Sequence, residues 1–285
     1  MGIVRRAPLH FARHGQGPAL VLLHGYTGRG SDLDGLASVS AAEFEVLVPD
    51  LPGHGASAAR VLEDGYDFDA CIDDLVATLD ATGHQRAHWL GYSIGARLAL
   101  GCAVRHPERV ASLVLIGGRA GIEDEGEREA RRLTDLALAG RIEAGGIESF
   151  VDEWLAQPLF DSQRRLGETF LAAQRRARLD NDAPALAAAL RVLGPGAQPP
   201  LHEALAGVRV PVLLAAGALD RKFVQLARAL ARRLPQAELC EIPNAGHAVH
   251  LEQPEALERA VDDFLRRVSD PARPVPSTLV QEIAS

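Results

Sequence analysis

WLGYSIGARLALGCAVR, residues 89–105, decides the fold. A short apolar run ends at Leu90, and Gly91-Tyr92-Ser93-Ile94-Gly95 follows as a G-x-S-x-G turn. Residues 94–105 are then rich in helix formers. A strand entering and a helix leaving such a turn lift the central serine above the edge of a sheet, because small residues on either side let the chain fold back tightly. The alternative is a serine that only caps the helix. Four residues beyond Ser93 stands Arg97, one helical turn further on the same side.

The rest of the chain carries a βα rhythm around this turn. Short apolar runs at 19–24, 44–48, 86–90, 110–116, 211–216 and 237–242 predict strands. Helices are predicted from Asp67 or Asp69 to about Thr82, and over 94–105, 223–234 and 254–268. Strands alternating with helices predict a mostly parallel sheet covered on both faces. The rhythm breaks after Gly117-Gly118. Residues 119–206 show helical patterning and no convincing strand, with Gly194-Pro195-Gly196 and Pro199-Pro200 punctuating the end. The expected organisation is therefore a core of residues 1–118 and 207–269, a helical cap inserted at 119–206, and a loose tail at 270–285.

Composition narrows the function class. The chain has 285 residues, 47% hydrophobic and 24% charged, as in water-soluble globular proteins. A net charge of -8 argues against nucleic acid or an anionic membrane as main partner, although a local arginine cluster can still hold a small anion. No apolar run approaches the roughly 20 residues of a membrane span, and the N-terminus lacks the apolar segment of a signal peptide. Cys71, Cys102 and Cys240 are odd in number and widely spaced, which fits neither a disulfide framework nor a metal site and points to the cytoplasm. Oligomeric state is left open, a monomer being compatible with everything above. Lys222 is the only lysine among 30 basic residues.

Three further segments fit a serine nucleophile or base. Asp220 follows the strand at 211–216, and His247 follows the strand at 237–242. The order Ser93…Asp220…His247 is the one this kind of turn requires, and sites in open α/β sheets gather at strand carboxyl ends. His247 would exchange the Ser93 proton, and Asp220 would orient the imidazole and stabilise its charged form. His250 is the rival for His247. The loop His24-Gly25-Tyr26-Thr27-Gly28 can aim a backbone N–H at a developing oxyanion, the two donors being the amides of Tyr26 and Ile94. His54, in the turn Asp50-Leu-Pro-Gly-His54-Gly55, reads as structural. Arg97 offers either a bidentate grip on a ligand carboxylate or a salt bridge to a glutamate of the cap.

Together these motifs resemble the α/β-hydrolase superfamily. With GYSIGAR, LDRKF, GHAVHLEQP and RRLTDLALAGRIEAGGIESFVDEWLAQPLFDSQ, the chain from about 17 to 268 resembles one family in particular, the 2-succinyl-6-hydroxy-2,4-cyclohexadiene-1-carboxylate synthases of menaquinone biosynthesis. The resemblance implies a lyase that expels pyruvate by 2,5-elimination from a small substrate bearing several carboxylates. The triad would abstract a proton rather than form an acyl-enzyme, and no metal or organic cofactor is implied. It further implies substrate contacts from Tyr92, Arg97 and Trp154, and from a cap arginine that falls at Arg132, with adjacent Arg131 as the other register. Lys222, in the D-x-K-F pattern, reads as structural. Two other functions use the same scaffold: a carboxylesterase or C–C bond hydrolase working through an acyl-enzyme, and a non-catalytic receptor, against which the ordered Ser-Asp-His set speaks.

Overall fold

A computed structural model describes residues 6–269. Seven strands form one sheet: β1 Phe11–His14, β2 Ala19–Leu23, β3 Glu45–Pro49, β4 Ala87–Tyr92, β5 Val110–Ile116, β6 Val212–Gly217 and β7 Ala237–Ile242. Their order is β1-β3-β2-β4-β5-β6-β7, and every pairing is parallel except β1 with β3. The apolar runs of the sequence are these strands, displaced by a residue or two. β1 is the addition. Its sequence, FARH, has no apolar period, because as an edge strand it needs only its backbone bonds to β3 and leaves three of four side chains exposed.

β2 shows how the sheet is sandwiched. Leu20 and Leu22 point into one apolar layer, together with Val46, Val48, Leu90 and Val114, under α1 (Asp34–Ser40) and α9 (Pro254–Ser269). Val21 and Leu23 point into the other, with Trp89, Leu113 and Leu115, under α2 (Phe68–Asp80) and α3 (Ile94–Arg105). A strand buried on both faces must be apolar at every position, so it reads as a continuous run rather than an alternation. α2 begins at the Asp67 cap, whose carboxylate accepts from the Ala70 amide, and not at Asp69.

Between β5 and β6 the chain contains no strand. α4 (Glu125–Leu155) is broken at Gly146, where φ is 74°, and α5 (Glu168–Leu179) and α6 (Ala183–Leu193) follow. Ala139, Ile142, Phe150 and Val151 of α4 pack on Leu186, Ala187 and Leu190 of α6, forming a third, smaller core. This helical segment is tied to the sheet's loops: Tyr26 donates its hydroxyl proton to Leu186 O, and the Asn181 amide donates to Thr27 O. α7 (Arg221–Ala231) and the short α8 (Val249–Glu252) complete the fold. The tail assigned to residues 270–285 lies outside the described residues. Among the described residues no helix is long and apolar enough to cross a membrane.

Candidate active site

Ser93 sits where β4 turns into α3, with φ 53° and ψ -107°, a conformation an L residue adopts only under constraint. The two glycines supply that constraint through space rather than through φ. A Cβ on Gly91 would run into the Gly95 carbonyl, and a Cβ on Gly95 into Leu23 O. The Ser93 amide donates to Ile116 O at 2.8 Å, which fixes the elbow to β5. Tyr92 and Ile94 are buried on either side, and Ser93 alone in the turn is partly open.

Three loops at strand carboxyl ends meet above it. His247 Nε2 lies 3.2 Å from Ser93 Oγ, and its Nδ1 lies 2.9 Å from Asp220 Oδ2. Asp220 divides its carboxylate: Oδ1 accepts from the Phe223 amide at 3.2 Å as the cap of α7, and Oδ2 faces the imidazole. That bond places the proton on Nδ1 and leaves Nε2 to accept from serine. The ring is held by Phe223, with centroids 4.4 Å apart, and by Gly117, where a Cβ would come within 2.9 Å of the imidazole. His250 is not part of this relay. It packs against Tyr92, with ring centroids 4.3 Å apart and the planes tilted by 55°, and burial pushes its pKa down to about 3.

The amides expected to face an oxyanion are free. Ile94 opens α3, so helix geometry gives its N–H no intrahelical acceptor, and neither it nor the Tyr26 N–H donates to any group among the described residues. Two histidines lock the loop that carries Tyr26. Leu51 N donates to His24 Nε2, so His24 Nδ1 carries the proton and donates to Gly25 O at 2.8 Å. Thr27 N donates to His54 Nε2, and His54 Nδ1 donates to Pro52 O. Both rings are buried and neutral, with His54 pushed down to about 3 chiefly by desolvation.

These loops and the helical segment enclose a cavity of about 470 Å³, ordinary for a small-molecule site. Ser93, His247, Tyr26, Tyr92, Ile94, Arg97 and Trp154 all border it. So do Arg119, Arg141 and Arg178, which the sequence did not single out; with Arg97, Arg131 and Lys222 they make six cations against the carboxylates of Asp32, Asp135 and Glu153. Arg97 is 5% exposed and touches no carboxylate among the described residues. Its guanidinium donates to Leu193 O at 2.6 Å and Gln198 Oε1 at 3.0 Å, which removes the salt bridge to a cap glutamate as its explanation. Burial first, then the neighbouring Arg131 and Arg119, press its pKa down to about 9. Arg178 is also buried, held by the Gln174 carbonyl and side chain, and its Nε has no acceptor. Desolvation lowers its pKa too. The Trp154 indole N–H is likewise buried without an acceptor.

One expectation is corrected. Arg132 does not face the cavity. It is exposed and chelated by Glu129 at 2.7 and 2.8 Å, whereas Arg131 lines the cavity and pairs with buried Asp135 at 2.7 Å. Adjacent helical residues point about 100° apart, and the packing of α4 on α6 turns Arg131 inward. Lys222 borders the cavity, pairs with no carboxylate among the described residues, and lies 6.0 Å from the centroid of the Phe223 ring. The signal that would have found Arg178 is absent from the sequence: Arg175 and Arg176 stand beside it, and Arg175 pairs with Asp152 at the surface.

Residues 18–254 match the family described as alpha/beta hydrolase fold. A 2-succinyl-6-hydroxy-2,4-cyclohexadiene-1-carboxylate synthase of Serratia proteamaculans is 35% identical over 249 residues, covering 87% of this chain and 93% of the relative. Among solved structures, that of MenH from S. aureus superposes with a TM-score of 0.85 at 30% identity, over 92% of this chain and 99% of the other. A thermophilic esterase from Thermogutta terrifontis, solved with malate bound, gives 0.80 at 27% identity, over 92% and 94%.

Proposed function

Because this chain belongs to the 2-succinyl-6-hydroxy-2,4-cyclohexadiene-1-carboxylate synthases of the α/β-hydrolase fold, enzymes of menaquinone biosynthesis, we propose that it is a carbon–oxygen lyase using Ser93, His247 and Asp220 as a proton-abstracting relay. The observation that carries this reading is Arg97: a buried guanidinium with no carboxylate of its own, opening on the same cavity as Ser93. Burying an uncompensated cation is costly, so a site that keeps one is built for an anion.

In the proposed reaction, Ser93 Oγ takes a proton from the carbon acid as His247 Nε2 takes the serine's own proton. Asp220 stabilises the imidazolium so formed. The C–H electron pair shifts through the conjugated system and breaks the ring C–O bond, so the three-carbon group leaves with its oxygen as the enolate of pyruvate; the His247 imidazolium returns a proton, giving pyruvate and restoring the relay. The amides of Tyr26 and Ile94 stabilise negative charge that develops on a carbonyl oxygen. Arg97 and Arg178 hold carboxylates, with Arg131 beside them, and Tyr92 and Trp154 shape the wall. The helical segment over the cavity acts as a cap that keeps bulk water from the relay.

The test is to supply the product of the preceding menaquinone enzyme and measure pyruvate release. Release that vanishes in Ser93→Ala supports the proposal; no release from the intact protein ends it. An esterase reading has the relay geometry in its favour, and it predicts a covalent adduct on Ser93 during turnover, which mass spectrometry of the trapped enzyme would detect.

A further inference from the structure

Gly194-Pro195-Gly196-Ala197-Gln198-Pro199-Pro200 reads in the sequence as punctuation. In the structure it is a cradle for one side chain. Ala197 N and Gln198 N both donate to Gly194 O, at 3.0 and 3.1 Å, closing a tight turn after α6. A Cβ on Gly196 would run into the backbone of Arg132, so this glycine lets the turn lie directly on α4. Further on, Leu201 N donates to Ala120 O, anchoring the segment to the loop after β5. Gln198 is thereby driven inward to 0% exposure, against Arg97.

The chemistry of that contact is one-sided. A guanidinium only donates, so the Gln198 amide must present Oε1 to Arg97 and turn Nε2 away. Nε2 is buried there with no acceptor. A glutamate of nearly the same shape would remove this orphaned N–H and give Arg97 a counter-charge, so stability alone favours glutamate. Asp135, whose charge acts on Arg97, is already committed to Arg131 at 2.7 Å and to the Gly196 amide at 3.0 Å.

We propose that Gln198 is a positioning residue that sets specificity: its neutral amide holds the Arg97 guanidinium at the cavity wall without neutralising it, which reserves the positive charge for a carboxylate of the substrate. This rests on the reading of Arg97 given above. Specificity here comes from withholding an internal partner, since an Arg97 already paired would offer an anion only a shared, half-cancelled field.

The experiment compares Gln198→Glu, Gln198→Met, Arg97→Met and the double variant Arg97→Met/Gln198→Glu, by melting temperature and by steady-state pyruvate release. Gln198→Glu is expected to melt at or above the parent temperature while KM rises at least about tenfold, with a smaller change in kcat. Gln198→Met, which stays neutral but loses the acceptor, should raise KM by less and lower the melting temperature. In the Arg97→Met background the glutamate should add nothing further to KM, because its effect runs through the guanidinium. A Gln198→Glu enzyme with parental KM, alongside an Arg97→Met enzyme whose KM is raised, overturns the proposal and leaves the carboxylate grip standing. A parental KM in Arg97→Met removes the grip itself, and the role of Gln198 with it. Equal losses of kcat and melting temperature in both Gln198 variants, with KM unmoved, would show a merely structural residue.

Discussion

Removing the Arg97 side chain separates binding from folding. Of the five N–H donors on a guanidinium, two are spent inside the protein, on Leu193 O and Gln198 Oε1. The others remain for a ligand. Losing a charge-assisted contact costs about 1.5–3 kcal/mol, which is roughly a 10- to 150-fold loss in kcat/KM for a carboxylated substrate. Folding should change little, because two terms oppose. Leu193 O and Gln198 Oε1 lose their donor, at about 1–3 kcal/mol each. A buried, uncompensated charge disappears, which relieves a penalty of several kcal/mol. Arg97→Ala is therefore expected to melt within about 5 °C of the parent while its KM rises; a fall in kcat as well would mean that Arg97 also stabilises the developing anion. Arg97→Lys should recover only part of the loss, since it keeps the charge without the planar fork. The assay is steady-state pyruvate release beside thermal unfolding. Normal kinetics with a melting temperature lowered by much more than this would refute the reasoning and make Arg97 a structural strut.

Ser93→Ala, His247→Ala and Asp220→Asn should each cost a large factor in turnover, with the double variants little worse than the singles, if the three hydrogen-bonded groups act as the proposed relay. His250→Ala is the contrast: a fall in turnover as deep as that of His247→Ala would reassign the base. In the helical segment between β5 and β6, Arg131→Ala should raise KM and Arg132→Ala should not, which steady-state kinetics on the pair would decide; a larger effect at the exposed Arg132 would mean that α4 is differently seated when ligand binds. His54 and His88 are buried neutral, with pKa values near 3 and 4 against 6.5 when unfolded. Each is protonated more readily in the unfolded chain, so stability should be flat above pH 6.5 and fall below it, by about 1.4 kcal/mol at pH 5.5 for His54 alone. Melting temperatures from pH 7.5 to 5 check this, and a slope no shallower in His88→Phe would show that the titrating groups lie elsewhere.

The sequence alone was enough for the frame and for the order of the residues that the proposed relay uses. Strands buried on both faces are apolar throughout, so they show as uninterrupted runs, and Gly91, Ser93 and Gly95 are dictated by a local turn that has no room for a Cβ. The order Ser93, Asp220, His247 follows from where those strands end. Such features are local, and local sterics and burial write themselves directly into residue type. The edge strand β1 leaves no apolar pattern in the sequence because it buries almost nothing. What tertiary structure decided was the facing of charges. Arg131 and Arg132 are identical in type and adjacent, and only the packing of α4 on α6 and on the Gly194–Gln198 turn sends one inward and the other to Glu129. Arg178 is set apart from nearby Arg175 and Arg176 in the same way, by the faces α5 turns to Asp152 and to the cavity. Whether Arg97 had a salt-bridge partner depended on residues about a hundred positions away, Leu193 and Gln198, and no spacing rule reaches that far. A charge's partner is a matter of distance in space, and chain sequence reports distance only along the backbone.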